Sequence, residues 1–536
     1  MYNNHLTKNK DINYDECGIK GICSISPTLV AMKALIFAYL QELAFYILKL
    51  HSFGARNKEI KNKFIETFSI LTANSEYSEE SFQEVIIELN KTTFEVKALY
   101  KKLCFENKVT PIFFKSQVKL GSNFSLPEIL KQGQKCSDKF KKDFNEQQKK
   151  TFDIILLILK SMCIYIVELQ ELNIDIDKYY KEILIAICLK ELRRISFEEQ
   201  KELMKKYAEL DFELMWMVFE TRKKEFGELI KTELRQSQKI GKAILAAGTN
   251  LKELELLLQA TKDRDIDVYT HGQMITAHTF PKFKSCPNLA GHWGKGTENY
   301  LQDFTSFPGP IFLTKLSLFK VENLCSCNIY VTDKIASKGV RTIKDYDFEE
   351  IIKSAHMSEG FEEEVIKENI PFGIIEQDFV NEINKLAEKI DNNEIKTIFT
   401  IGVSNKVISQ ADYFKRFFKL LPDDCFVLSF YYTDNSPKVL LSKIDYAYPY
   451  LYKTLEIISE TKNFSEIKVN ILHTRCESHT FPNLINLKRM GFENVYMAQC
   501  LPTLINPGVI DFICETFNIK RYTTPESDLQ NMIVKE

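Results

Sequence analysis

The chain has 536 residues, 71 basic against 73 acidic side chains, 45% hydrophobic residues and 13 cysteines. At roughly 150 residues per domain this length predicts about three or four domains, each able to bury a core. The balanced charge removes the excess of Lys and Arg that nucleic-acid binding requires, so no polyanion partner is expected. The cysteines lack the dense spacing of a disulfide scaffold, and the start MYNNHLTKNKDINYDECG has no apolar leader core. A reducing cytosol is therefore the expected compartment.

From residue 26 to 235 apolar residues recur at three- and four-residue spacing with few glycines, which predicts helices almost throughout. Ser26 and Pro27 open the first, as N-cap and first-turn residue. Further helices are expected over 57–71, 78–105, 138–172, 176–192 and 196–236, and a loop over 110–126. The apolar stretches 29–50 and 151–169 are interrupted by charges such as Lys33, Glu42, Lys160 and Glu168, so they read as buried bundle helices and no membrane association is expected.

Near Lys242 the texture changes to short β-like runs alternating with helices: KAILAAG, IDVYTHG, GPIFLT and NIYVTD. A second series begins near Glu376, with IKTIFTIG, CFVLSFYY, IKVNILH, ENVYMA and IKRYTT. Such alternation predicts doubly wound parallel sheets. Residues 341–372, acidic around Glu362 and Glu364, read as a connector. The expected fold is thus multidomain α and α/β, with an N-terminal helical bundle over 1–236 followed by two Rossmann-like domains over 237–372 and 373–536. Ligands of such domains sit at the carboxyl ends of strands. No phosphate-binding glycine loop follows any of these strands, so a nucleotide cofactor is not expected.

Several strand ends carry a family pattern. CGIKGIC over 17–23, DVYTHG over 267–272, FPKFK followed by NLAG over 280–291, and FPGPIFLT over 307–314 resemble the hybrid-cluster protein family, also called prismane or hydroxylamine reductase. The resemblance covers nearly the whole chain and includes a late Leu501-Pro502 segment. It implies a cubane held by N-terminal cysteines, an iron–sulfur–oxygen cluster where the domains meet, and reduction of small nitrogen species such as hydroxylamine or nitric oxide.

The implied ligands are largely replaced. The family's first cluster uses C-x2-C and then C-x5-C; Cys17 and Cys23 match the second pair, while counting back for the first lands near His5 and Lys8. For the second cluster the family's His falls at Thr249, a Glu at Gln273, and cysteines at Ser317, Val403 and Tyr432. The last Glu-x-Lys pair falls at Glu477 and His479, and the remaining Cys position falls within 443–448, which contains none. Hydroxyls, an amide and a valine are poor or impossible iron ligands at neutral pH. The expectation is a divergent homologue with no cofactor, its iron–sulfur cluster being implied by resemblance only.

Other motifs have a structural and a functional reading. Cys17 and Cys23 either bind a metal with His5 or remain as packing. Cys325 and Cys327 on a strand read as core. Cys476, Glu477 and His479 hold a nucleophile, an acid and a base within four residues, but catalysis needs them to converge in space. His271 reads as a turn or supporting residue before a catalytic one, near His278, His292 and Trp293; the aromatic run 446–452 reads as a buried helix. Two functions follow: a cluster-free fold binding an unidentified small molecule or protein in the inter-domain cavity, or an enzyme using a reduced metal site or new residues such as His271, Cys476, Glu477 and His479.

Overall fold

The structure is a computed structural model and describes residues 26–71, 78–116, 118, 123–140, 144–188, 192, 194–294, 299–317, 319, 321, 324, 328–337, 339–402, 408–429, 439–441, 448–473, 479–497 and 508–533. Its bundle begins with α1 (Pro27–Ser52), where the Ser26 hydroxyl accepts from Leu29 N at 3.3 Å and so satisfies one of the orphan amides of the first turn. This helix is long and apolar enough to cross a membrane, yet 72% of its most apolar stretch is buried against the bundle. Then follow α2 (Lys58–Ile70), α3 (Glu79–Glu106), α4 (Leu126–Phe140), α5 (Glu146–Glu171), α6 (Asp177–Ile187) and α7 (Phe197–Phe226).

Two helix boundaries differ from the periodicity. The stretch 138–172 is not one helix: α4 runs to Phe140, and α5 starts afresh because Asn145 and Gln148 form a reciprocal capping box. The helix expected over 196–236 stops at Phe226. Gly227 takes φ of +97°, which a β-carbon would oppose, and Thr232–Leu234 instead forms β1.

The first parallel sheet comprises β2 (Lys242–Ala247), β3 (Ile266–His271), β4 (Leu289–His292), β5 (Ile311–Leu313), β6 (Ile329–Val331) and β7 (Arg341–Thr342), in the order β4-β3-β2-β5-β6-β7. Helix α8 (Leu251–Thr261) makes the first crossover. The region expected to be a connector supplies more than a link. It contains β7, then α9 (Glu349–Met357), which buries Ile351, Ile352 and Ala355, and finally β8 (Ile370–Phe372), antiparallel to β1. Its charges occupy the outer side while those three apolar residues cover the sheet.

The second sheet follows helix α10 (Glu376–Asp391) and contains β9 (Thr397–Gly402), β10 (Cys425–Ser429), β11 (Val439–Leu441), β12 (Lys468–His473), β13 (Asn494–Met497) and β14 (Lys520–Arg521). Its order is β11-β10-β9-β12-β13-β14, again parallel. Helices α11 (Ile408–Lys419), α12 (Tyr448–Ser459), α13 (Thr480–Arg489) and α14 (Val509–Phe517) make the crossovers, and α15 (Pro525–Met532) follows the last strand. Tyr448, Tyr450 and Tyr452 are buried in α12, as read from the aromatic run. Both sheets have interior strands buried on both faces, which explains their continuous apolar runs.

Strand order reverses between β2 and β5 in the first sheet, and between β9 and β12 in the second. Those topological switch points are where an open α/β sheet leaves a crevice. Bundle helices α5 and α7 lie beside both: Asn486 on α13 donates to the Ala208 carbonyl at 2.6 Å, and Arg222 on α7 donates to the Thr249 carbonyl at 2.9 Å.

The close approach of α4 to α1 at Gly133 is testable. A β-carbon on Gly133 of α4 would lie 2.2 Å from the Ala31 carbonyl oxygen of α1. Gly133→Ala gains up to about 1 kcal/mol of helix propensity, but a backbone atom cannot swing aside. Net destabilisation of about 1–3 kcal/mol is expected from overpacking, read as a lower urea midpoint.

Candidate functional site

Register brings three of the expected positions together. Ala247 of β2 pairs with His271 of β3 and with Leu313 of β5. Thr249 and Gln273 each lie two residues past their strands, and Ser317 follows the third. Thr314 ties the first and last of these: its hydroxyl accepts from Thr249 N at 3.2 Å, and its carbonyl accepts from Ser317 N at 3.2 Å. Gln273 accepts from the Thr276 hydroxyl through its backbone oxygen. Val403, Tyr432, Glu477, Cys17 and Cys23 lie outside the described residues, as do His5, Lys8, Cys325, Cys327 and Cys476.

The bundle presents charge to these strand ends. On α5, Ser161, Tyr165 and Glu168 recur at i, i+4 and i+7 and therefore share one face. Glu168 receives Arg222 through two bonds, Nε to Oε1 at 2.5 Å and Nη2 to Oε2 at 2.8 Å, both side chains only 8% exposed. The same guanidinium reaches the Thr249 carbonyl. One helical turn on, Glu171 receives the Asn250 amide and, at 2.6 Å, the Lys315 ammonium. Tyr346 donates to the same carboxylate at 3.0 Å.

Lys315 also joins Glu253 of α8, a fully buried carboxylate. Its amide and the Thr332 hydroxyl each donate to Glu253 Oε2 at 2.8 Å, while Glu253 Oε1 has no hydrogen bond and lies 3.4 Å from Lys315 Nζ. Burial and the neighbouring Glu171 push Glu253 up to about 8. Burial opposes the charge of Lys315, but Glu171 and Glu253 outweigh it and hold the ammonium protonated. Two carboxylates thus share one cation.

At the second switch point His479 precedes α13, its ring stacked on Tyr165 with centroids 4.3 Å apart. Its Nδ1 lies 2.5 Å from Ser161 Oγ, which lies 2.5 Å from Asp211 Oδ1. Burial raises Asp211 well above the ordinary carboxyl range. A hydroxyl carries one proton, so the direction of both bonds reverses together as Asp211 gains or loses its own.

The histidines near β3 form a different kind of group. Thr270 Oγ1 lies 2.8 Å from both His278 Nε2 and His292 Nδ1, donating to one ring and accepting from the other. Burial lowers His278 to about 4 and His292 well below its usual value, so both are neutral. His271 is fully buried between Phe304 and Phe319, with Nε2 3.0 Å from Asp303 and Nδ1 without a hydrogen bond. This enclosed setting favours the supporting reading of His271. Among the described residues no three His, Cys, Asp or Glu side chains converge as metal ligands.

The model of the Prismane/CO dehydrogenase family matches residues 13–430. The chain belongs to that family. Hydroxylamine reductases of Thermodesulfovibrio yellowstonii and Maridesulfovibrio salexigens are 25% and 26% identical to this family member; the alignments cover 96% of this chain in both cases, and 98% and 97% of theirs. The hydroxylamine reductase of Methanocella arvoryzae is 24% identical over the same share. Among solved structures, an acetyl-CoA synthase/carbon monoxide dehydrogenase alpha subunit superposes with a TM-score of 0.48 at 10% identity, covering 98% of this chain and 84% of that one. The family resemblance read from DVYTHG and CGIKGIC is thereby borne out.

The cluster implied by this Prismane membership was tested against the residues at the strand ends. Iron in such a centre needs thiolates, imidazole or anionic oxygen. Thr249, Gln273 and Ser317 supply two hydroxyls and a neutral amide, and Arg222 places a cation on the Thr249 carbonyl. These described residues do not fit the group. Of the described cysteines, Cys104, Cys136, Cys163 and Cys425 are buried and Cys188, Cys286 and Cys514 partly so, all as free thiols. Burial raises the Cys163 thiol far above the ordinary range, which keeps it protonated and unreactive.

Arg222, Glu171, Glu253, Lys315, Ser161 and Asp211 escape motif reading because they match no spacing pattern. The available signal was charge inside an apolar helix: Glu168 interrupts 151–169, and a charge buried there requires a partner.

Removing that partner has a large expected effect. Arg222→Met leaves Glu168 buried and uncompensated, which should lower stability by about 3–5 kcal/mol, whereas adding Glu168→Gln should restore most of it in urea unfolding. A second measurement uses pH. The folded state holds the Glu253 proton from 4.5 up to about 8, so its contribution is complete below 4.5 and is lost as pH rises through 8. Glu253→Gln should flatten the decline of the urea midpoint across that window.

Proposed function

We propose that this protein is a hydroxylamine-reductase homologue that forms no iron–sulfur–oxygen centre and keeps the family fold to bind a small molecule or protein between its domains. The reading rests on one observation: neutral donors stand at Thr249, Gln273 and Ser317, and the adjoining charges are already engaged with one another, Arg222 with Glu168 and Lys315 with Glu171 and Glu253. A cluster needs net anionic ligation, and these strand ends offer a closed set of ion pairs. Balanced overall charge argues against a nucleic-acid partner, and the sparse spacing of the cysteines favours a reducing cytosol.

The second reading is an enzyme with repurposed residues. It is favoured by the Asp211–Ser161–His479 chain, which orients an imidazole at the second switch point, two and three residues after Glu477 and Cys476. If it holds, Cys476→Ala and Glu477→Gln each abolish any turnover found.

Iron and acid-labile sulfide analysis of anaerobically purified protein separates the two from the family activity. The expected result is far below one iron per chain, no broad sulfur-to-iron absorption, and no hydroxylamine-dependent oxidation of a reduced viologen dye. Stoichiometric iron with that absorption overturns the proposal.

A further inference from the structure

A cavity of about 520 Å³ lies between α2, the end of α5 and the loops that follow β5 and β6. Its size suits a small organic ligand, and it adjoins the carboxyl ends of two strands. It shares Lys315 and Glu171 with the network above but opens toward α2.

The walls divide by chemistry. Ile65, Ile70, Val167, Ile174 and Ile335 give an aliphatic lining. Most of the lysines are committed: Lys315 to Glu171 at 2.6 Å, Lys61 to Asp177 at 2.6 Å, and Lys334 to Glu88 at 2.5 Å and Glu66 at 3.4 Å. Two lining carboxylates have no ion pair among the described residues. Asp175 accepts only the Asp177 amide, at 3.0 Å, and Asp333 accepts only the Leu316 amide, at 3.1 Å, through Oδ1. Asp333 lines the cavity, and among the described residues its Oδ2 has no hydrogen bond. Gln170 donates its amide to Asn62 at 3.2 Å, which leaves its carbonyl oxygen as a further acceptor.

The backbone here is strained in a way that positions Asp333. Leu316 has φ of +58°, a conformation unfavourable for a bulky residue that persists where surroundings enforce it. The Asp333 carboxylate holds that turn through the Leu316 amide, so strand ends β5 and β6 present the acidic group and the aliphatic Leu316 to one space.

We propose that this cavity binds a primary ammonium ion carried on a short branched aliphatic chain, with the ammonium on Asp333 Oδ2 and the chain against the isoleucines. An ammonium has three donors and no acceptor, matching the open acceptors of Asp333, Asp175 and Gln170; Lys315 acts on Asp333 from a distance but is itself held by Glu171 and Glu253. A metal ion is the poorer match, because no three ligating side chains converge there.

The test uses full-length protein, isothermal titration calorimetry and two probes of equal shape, 3-methylbutylamine hydrochloride and 3-methylbutan-1-ol. Saturable amine binding is expected, with the alcohol at least tenfold weaker. Asp333→Asn keeps an oxygen for the Leu316 amide and should weaken the amine at least tenfold while leaving the alcohol unchanged. Gln170→Lys, at a partly exposed position, supplies an ammonium in place and should abolish amine binding. No saturable binding, equal binding of the two probes, or unaltered amine affinity in either variant overturns the proposal.

Discussion

A guanidinium and a carboxylate withdrawn from water must satisfy each other completely, and the Arg222–Glu168 pair is the constraint around which the bundle and the first sheet are arranged. Each side chain is 8% exposed, and Nη2, which donates one hydrogen to Glu168, donates its other to the Thr249 carbonyl. Desolvating both ions costs several kcal/mol, so the pair adds little net stability while making any displacement of α5 from α7 expensive. Its value is positional: it holds two bundle helices and the first switch point in one register.

From that anchor the neighbouring contacts follow in steps of a helical turn. Glu168 meets Arg222, and Glu171 meets Lys315 and Asn250. Ser161, two turns earlier, meets His479 at the other sheet. One face of α5 thereby reads the carboxyl ends of both sheets, because residues three or four apart on a helix point the same way while parallel strands all end on the same side. A single polar stripe on an otherwise apolar helix can therefore gather the strand ends of two domains.

The local charge balance has a chemical consequence. Glu171 and Glu253 share Lys315, and burial, with Glu171 close by, raises the carboxyl of Glu253. An iron centre would bring additional cationic charge and demand anionic or soft ligands, neither of which Thr249, Gln273 or Ser317 provides. The strand order sets the crevice, while Thr249, Gln273 and Ser317 place two hydroxyls and a neutral amide at the strand ends beside it.

Much of the fold was legible in the residues. Ser26-Pro27, the apolar spacing of 29–50 and the buried runs KAILAA and TIFTI led directly to α1, β2 and β9, because capping, periodicity and two-sided burial are local properties. The break between α4 and α5 was missed because it depends on a hydrogen-bonded box at Asn145 rather than on hydrophobic pattern, and the apparent connector became α9 and β8 through pairing with distant β1. At the site, Thr249, Gln273 and Ser317 could be placed by family motif, since strand ends keep their order. By itself the sequence determined the family, the parallel sheets and the chemical poverty of those positions, because each is a property of residue type and spacing. Only the tertiary structure decided that Arg222, Lys315, Glu253 and Asp333 matter: a charge acquires its partner, its burial and its proton affinity from residues tens or hundreds of positions away.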